Sequence, residues 1–233
     1  MASSAVPSTR QAKPKLAAPL WHTLILLAIF WGFFWMQNRS LAGGGQHHGN
    51  VVRYLSVIVF EWVLAFCVWL GGLIPGATRM RDLVGGRWCS MKDVLRDVAI
   101  AAAFWILCVG VGFFMNFVLK PSPTTESLRV LNRQGAAEIT LWVIMSMTSG
   151  FCEELVFRGY LQRQFLALTG SAAFAVLAQA VLFGVGHWYQ GIKMVIVIIV
   201  LGILFGILAH WRKSLRPGMI AHAWQDIASL IAI

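Results

Sequence analysis

F-C-E-E-L-V-F-R-G-Y-L, residues 151–161, places two adjacent glutamates and an arginine directly after an uncharged stretch, I-T-L-W-V-I-M-S-M-T-S-G at 139–150. Ionisable side chains inside a membrane-spanning segment are costly, and they are treated as functional by default. The stretch is therefore either a helix end that emerges into water or a site within a membrane.

The composition of the whole chain favours a membrane protein. Of its 233 residues, 58% are hydrophobic and only 12% are charged, whereas a soluble domain is about a quarter charged. Apolar runs close to the length of about 17–25 residues that spans a bilayer predict an all-α, polytopic bundle of about seven transmembrane helices. Their predicted positions are 20–36, 51–74, 97–119, 138–157, 172–190, 193–210 and 217–233.

The net charge of +10 is scattered between the apolar segments, which argues against a nucleic-acid partner, since such partners require a gathered basic face. With a cytoplasmic N-terminus, 13 Lys and Arg fall inside and 6 outside, as the positive-inside rule requires. We therefore predict a multi-pass integral membrane protein whose basic residues also attract the lipid bilayer. Residues 1–18 are predicted to form a basic, disordered cytoplasmic tail, and residues 19–233 a single transmembrane domain.

Three pairs of residues in the later segments are spaced i, i+4, which places both members of a pair on one helix face. They are Glu154 with Arg158, Phe183 with His187, and His222 with Asp226. Glu153 is turned about 100° away from Glu154, so Glu154 can hold Arg158 while Glu153 points into the bundle. Asp226, one turn from His222, can fix the tautomer and orientation of that imidazole.

The spacing along the chain also relates Glu153 to His187. Both lie 17 residues from Gly170, in the predicted turn T-G-S, so an antiparallel hairpin brings them to one level. The 17 helical residues between the cytoplasmic turn and this level span about 25 Å, which would put Glu153 and His187 near the outer face of the membrane. They lie closer to the cytoplasm if R-G-Y-L-Q-R-Q-F at 158–165 protrudes into it as helix. In that case the site is shallow and faces the cytoplasm. Glu61, alone in V-F-E-W-V, has no obvious partner and is left without a functional role; it can pack against a polar group of another helix.

These residue types suit the activation of water. A glutamate among apolar side chains is a candidate general base, because loss of water penalises its charged form. Two histidines and an aspartate can orient water or stabilise an oxyanion. The same side chains are also plausible zinc ligands, although no HExxH signature is present. The residues thus indicate hydrolysis in a membrane cavity, either without a cofactor or with a divalent metal such as zinc.

Taken together, the three motifs resemble those of the CAAX-processing and bacteriocin-processing intramembrane proteases, the abortive-infection-like family. The family pattern EExxxR, FxxxH and HxxxN or HxxxD corresponds to E-E-L-V-F-R (153–158), F-G-V-G-H (183–187) and H-A-W-Q-D (222–226). The resemblance covers about residues 138–233. It implies an all-helical membrane endopeptidase with a protease-like core at 138–233, in the last four helices.

The resemblance also implies a role for each motif residue. Glu153 with His187 would activate the attacking water, and His222 with Asp226 would stabilise the oxyanion. The supporting residues would be Glu154, Arg158 and Phe183.

Asp226 departs from the asparagine that is frequent at its position. An ionised aspartate cannot donate to an oxyanion, so Asp226 must be protonated, orient His222 or help to bind a cation. If a metal is present, its ligands would be Glu153, His187, His222 and Asp226.

The expected substrate is a peptide or a lipidated protein that enters from the membrane or the cytoplasm. Two other functions stay open on the sequence. A non-catalytic membrane scaffold or immunity protein would use the same fold without cleavage. A proton- or cation-coupled transporter would use the buried Glu, His and Asp residues as a relay, although the internal repeat of many transporters is missing.

Overall fold

A computed structural model describes residues 15–42, 50–119 and 135–230, and these residues form helices and connecting turns. The all-α class is therefore confirmed for this part of the chain. In chain order, the helices are α1 Leu20–Ala42, α2 Asn50–Gly71, α3 Met80–Val84, α4 Met91–Leu119, α5 Ala136–Thr169, α6 Ala172–Val185, α7 Ile192–Arg212 and α8 Arg216–Ala228, with a 3-10 turn at Trp188–Gln190.

Four of the described helices are long and apolar enough to cross a bilayer, and the chain is an integral membrane protein. These spans are Val51–Gly71, Met91–Leu119, Ala136–Thr169 and Ile192–Arg212. All seven predicted apolar segments coincide with helices, but α6 has 14 residues and α8 has 13. At a rise of 1.5 Å per residue they reach about 20 Å, short of the bilayer core of about 30 Å. Seven full spans are therefore not present among the described helices.

The helix α5 runs past its predicted end at residue 157 and changes its winding on the way. It is α-helical over Ala136–Glu153, π-helical over Glu154–Leu161 and α-helical again over Gln162–Thr169. The predicted continuation beyond Arg158 is helical, and its side chains Tyr160, Leu161 and Gln164 are buried against the rest of the protein. A π-helical insertion within an α-helix is frequent at functional sites, and this one starts beside Glu153.

Polar side chains in the second half of α5 find partners on α1 and on the segment before it. Tyr160 is within hydrogen-bonding distance of His22 Nδ1 (2.7 Å) and of Thr23 Oγ1 (2.9 Å). Gln164 Oε1 accepts from the backbone N–H of Ala17 at 2.6 Å. These bonds explain why polar residues here are buried. Ala17 belongs to the predicted disordered tail but is buried, while residues 1–14 lie outside the described part of the chain.

Small residues bring α8 and α7 close to their neighbours. Gly150 on α5 faces the α8 backbone so closely that an added Cβ would lie 2.8 Å from Met219 O and 2.8 Å from Ala223 N. Gly202, the first glycine of G-I-L-F-G on α7, meets Ala180 of α6 in the same way, at 3.1 Å. The small residue at 202 therefore allows α7 to pack closely against α6. The close contact at Gly150 sets the position of His222 against α5.

Candidate active site

Glu154 and Arg158 form the predicted i, i+4 ion pair, and the pair is fully enclosed. Their side chains are 1% and 0% exposed, and Arg158 Nη1 lies 3.0 Å from Glu154 Oε1. The guanidinium lies over the Phe183 ring, 4.3 Å from its centroid, and 5.4 Å from the centroid of Phe205. Aromatic faces attract a cation and partly replace its lost water. Arg158 thus joins α5 to both α6 and α7.

His222 is the side chain at which the carboxylates of the site meet. Its Nδ1 lies 3.0 Å from Glu154 Oε1, and since a carboxylate oxygen only accepts, Nδ1–H is the donor. Its Nε2 lies 3.5 Å from Glu153 Oε2 and 3.7 Å from Asp226 Oδ2. The sequence predicts that the two glutamates serve different partners, but both approach the same imidazole. Glu154 contacts Arg158 and His222 Nδ1, and Glu153 lies near His222 Nε2.

His187 lies in the turn after α6 rather than inside the predicted helix at 172–190, since α6 ends at Val185. Its Nδ1 lies 2.9 Å from the backbone oxygen of Phe183. Because a carbonyl oxygen can only accept, Nδ1 carries the hydrogen, and the Nε2 lone pair of the neutral ring is left to accept a hydrogen bond. The ring also packs edge-on against Phe183, with centroids 4.9 Å apart. The predicted Phe183–His187 pair is thus a real contact that fixes the tautomer.

Glu153 and His187 line the same cavity, which has a volume of about 80 Å³. The hairpin around Gly170 therefore places on one cavity the two residues expected to act on water. Glu154, Arg158, His222 and Asp226 are not among the residues that line it. The other lining residues come from α1, α2, α5, α6 and the turn that follows: Phe30, Phe33, Phe34, Val57, Phe60, Glu61, Leu64, Cys152, Val156, Phe157, Phe183, Gly186 and Tyr189.

Glu61 is a cavity residue to which the sequence assigned only a packing role. It is 4% exposed, its Oε1 accepts from Ser149 Oγ at 2.6 Å, and its Oε2 accepts from Thr148 Oγ1 at 3.1 Å. The prediction that it meets a polar group of another helix is confirmed. A lone acidic residue in an apolar helix is a signal for a place on the cavity. The sequence carries no signal for its partners, Thr148 and Ser149, because they belong to a distant helix.

The four residues considered as metal ligands do not fit a metal centre in this arrangement. Within residues 15–42, 50–119 and 135–230, no three His, Cys, Asp or Glu side chains are grouped so that they could hold an ion. His222 turns both ring nitrogens to carboxylates, and Asp226 is not among the residues that line the cavity with Glu153 and His187. Of the alternatives for Asp226, its place beside His222 Nε2 favours the orienting role.

Residues 135–228 match the family model described as Rce1-like, type II CAAX prenyl endopeptidase Rce1-like. The part of the chain from the start of α5 to the end of α8 is therefore an Rce1-like domain, and the resemblance drawn from the three motifs is confirmed. This family is one of peptidases. No curated protein and no solved structure matches the chain.

Proposed function

We propose that this protein is an intramembrane endopeptidase that hydrolyses a peptide bond with a water molecule activated by Glu153 and His187. One observation carries the proposal: a carboxylate and an imidazole with an unoccupied acceptor nitrogen line one cavity of an integral membrane protein. The Rce1-like domain supplies both residues, which agrees with peptidase chemistry.

In this mechanism each group has a defined proton role. The Glu153 carboxylate takes a proton from water while the His187 Nε2 lone pair accepts a hydrogen bond from the same water, which orients it for attack. Glu153 then delivers the proton to the nitrogen of the leaving amine as the C–N bond breaks. His222, held by Glu154 at 3.0 Å, stands 3.5 Å behind Glu153 and keeps its carboxylate in position.

The cavity also supports a substrate with an apolar part. Phenylalanine side chains from four helices line the space around Glu153, and such walls favour an extended apolar segment or a lipidated peptide over a charged one. We propose that this substrate enters from the membrane or the cytoplasm, with the N-terminus of the enzyme on the cytoplasmic side, as the distribution of 13 and 6 basic residues favours.

The test is peptide cleavage by purified protein in liposomes. We expect Glu153→Gln to remove cleavage, because the amide cannot take a proton, and His187→Phe to reduce it at least a hundredfold, since general acid–base catalysis contributes about 10²–10⁴-fold. Glu138→Gln, the same change at the start of α5 and away from the cavity, is the matched control. Retained cleavage in both cavity variants refutes the proposal and favours a scaffold that reuses the fold.

A further inference from the structure

The cavity contains one side chain suited to stabilise an oxyanion that the sequence motifs do not include. Besides Cys152, whose S–H is only a weak donor, its polar lining residues are Glu61, Glu153, His187 and Tyr189. The two carboxylates are acceptors when ionised, and His187 already gives its Nδ1 hydrogen to the backbone oxygen of Phe183. The remaining donor among these residues is the phenol of Tyr189.

The residues to which the family resemblance gives the oxyanion role are placed differently. His222 turns Nδ1 to Glu154 and Nε2 to Glu153 and Asp226, so both nitrogens face carboxylates rather than a substrate carbonyl. Neither His222 nor Asp226 lines the cavity. In this arrangement the negative charge that develops on the substrate carbonyl oxygen would meet hydrogen-bond acceptors on most sides. Hydrolysis requires a hydrogen-bond donor directed at that oxygen.

Tyr189 is held in a fixed position beside His187. It belongs to the 3-10 turn Trp188–Gln190, and its ring lies nearly parallel to the His187 ring, with centroids 6.1 Å apart and planes inclined by 29°. The guanidinium of Arg53 on α2 lies 5.5 Å from the ring centroid. The ring is thus fixed between the turn and α2.

The hydroxyl of Tyr189 is engaged as an acceptor. Gln190 Nε2 donates to it at 3.0 Å. A phenol carries one hydrogen and also accepts, so this bond leaves the hydrogen of Tyr189 available for donation. A substrate carbonyl oxygen in the cavity is a suitable acceptor for this hydrogen.

We infer that Tyr189 is a further catalytic residue, whose hydroxyl donates a hydrogen bond to the carbonyl oxygen of the scissile peptide bond. This inference rests on the proposed function. When the water oxygen bonds to the carbonyl carbon, the π electron pair moves to the carbonyl oxygen, and the proton of the water goes to Glu153. Tyr189 keeps its own proton, and its hydrogen bond strengthens as the charge develops.

The decisive variant is Tyr189→Phe, which keeps the ring beside His187 and removes only the hydroxyl. Loss of one oxyanion donor lowers kcat by about 10²–10³-fold, and we expect this fall with a KM that changes less than about threefold. A phosphonate mimic of the tetrahedral intermediate should lose affinity by a similar factor, whereas an uncleavable substrate analogue should bind as before. Tyr54→Phe, which removes a buried hydroxyl next to Trp142, is the matched control and should retain activity.

Two further variants separate the possible outcomes. Gln190→Ala removes the donor to the phenol but keeps the hydroxyl, so it should lose less than about tenfold in kcat; a loss equal to that of Tyr189→Phe would overturn the inference in favour of a structural role. Glu153→Gln is measured in parallel. If Glu153→Gln is inactive while Tyr189→Phe keeps full kcat, the Tyr189 inference fails and the proposed function stands. If Glu153→Gln is active, the proposed function fails as well.

Discussion

Replacing Gly150 by alanine tests whether the position of α8 against α5 is needed for activity. The new Cβ would lie 2.8 Å from Met219 O and 2.8 Å from Ala223 N, both backbone atoms of α8. Ordinary van der Waals contact begins at 3.4 Å, so the two helices must separate by about 0.6 Å. No side-chain rotation can relieve these contacts, because both belong to the helix backbone. His222 lies between the two clashing residues in sequence and must move with them.

The size of the effect follows from this displacement. Overpacking an interior costs about 1–3 kcal/mol of stability. His222 lies 3.0 Å from Glu154 and 3.5 Å from Glu153, and a shift of 0.6 Å lengthens or misaligns both contacts. Since a misplacement of about 1 Å can cost about a hundredfold in rate, we expect Gly150→Ala to lower kcat between about tenfold and a hundredfold.

The assay combines thermal unfolding in detergent with peptide cleavage in liposomes. The matched control is Gly110→Ala on α4, where an added Cβ meets nothing within 4 Å; there alanine should be neutral or stabilise the helix by about 0.5–1 kcal/mol. If Gly150→Ala melts and cleaves like the unchanged protein while Gly110→Ala behaves as expected, the close contact of α5 with α8 does not set the site.

Two other changes test the buried charges and the metal alternative. Arg158→Met should lower the free energy of unfolding by about 3–5 kcal/mol, because it leaves the carboxylate of Glu154 buried without its partner. The double variant Arg158→Met with Glu154→Gln should recover part of this loss. Equal stability of the unchanged protein, the single variant and the double variant would contradict the argument. Treatment of the purified protein with a chelator should leave cleavage unchanged, because the described residues offer no group of three ligands, and a loss that zinc restores would overturn that expectation.

The parts of the site that were predictable from the sequence are the local ones. Glu154 pairs with Arg158, and Phe183 contacts His187, because a spacing of four residues brings side chains together without knowledge of the fold. The shared level of Glu153 and His187 also follows from counting residues to the turn at Gly170. These inferences need only the geometry of one helix or one hairpin.

The rest depends on packing between helices that are distant in sequence. That His222 is held by Glu154 requires α8 to contact α5 at Gly150, and the motif spacing carries no information on this contact. The π-helical winding that begins at Glu154 rotates the following side chains away from their α-helical positions, and the burial of Tyr160 and Gln164 depends on partners in α1 and in the segment before it. The partners of Glu61 depend in the same way on the packing of α2 against α5.

The walls of the cavity show that the Rce1-like domain does not form the site alone. That domain begins at residue 135 and supplies Glu153, His187 and His222. Phe30 and Phe33 on α1, together with Glu61 on α2, lie outside it and still line the cavity. Under the proposed function, changes at Phe30 and Phe33 should alter which substrate is admitted, because these apolar side chains line the cavity and carry no group that transfers a proton. If the proposed function is correct, α5 to α8 would act on the peptide bond, and α1 and α2 would select the substrate that reaches it.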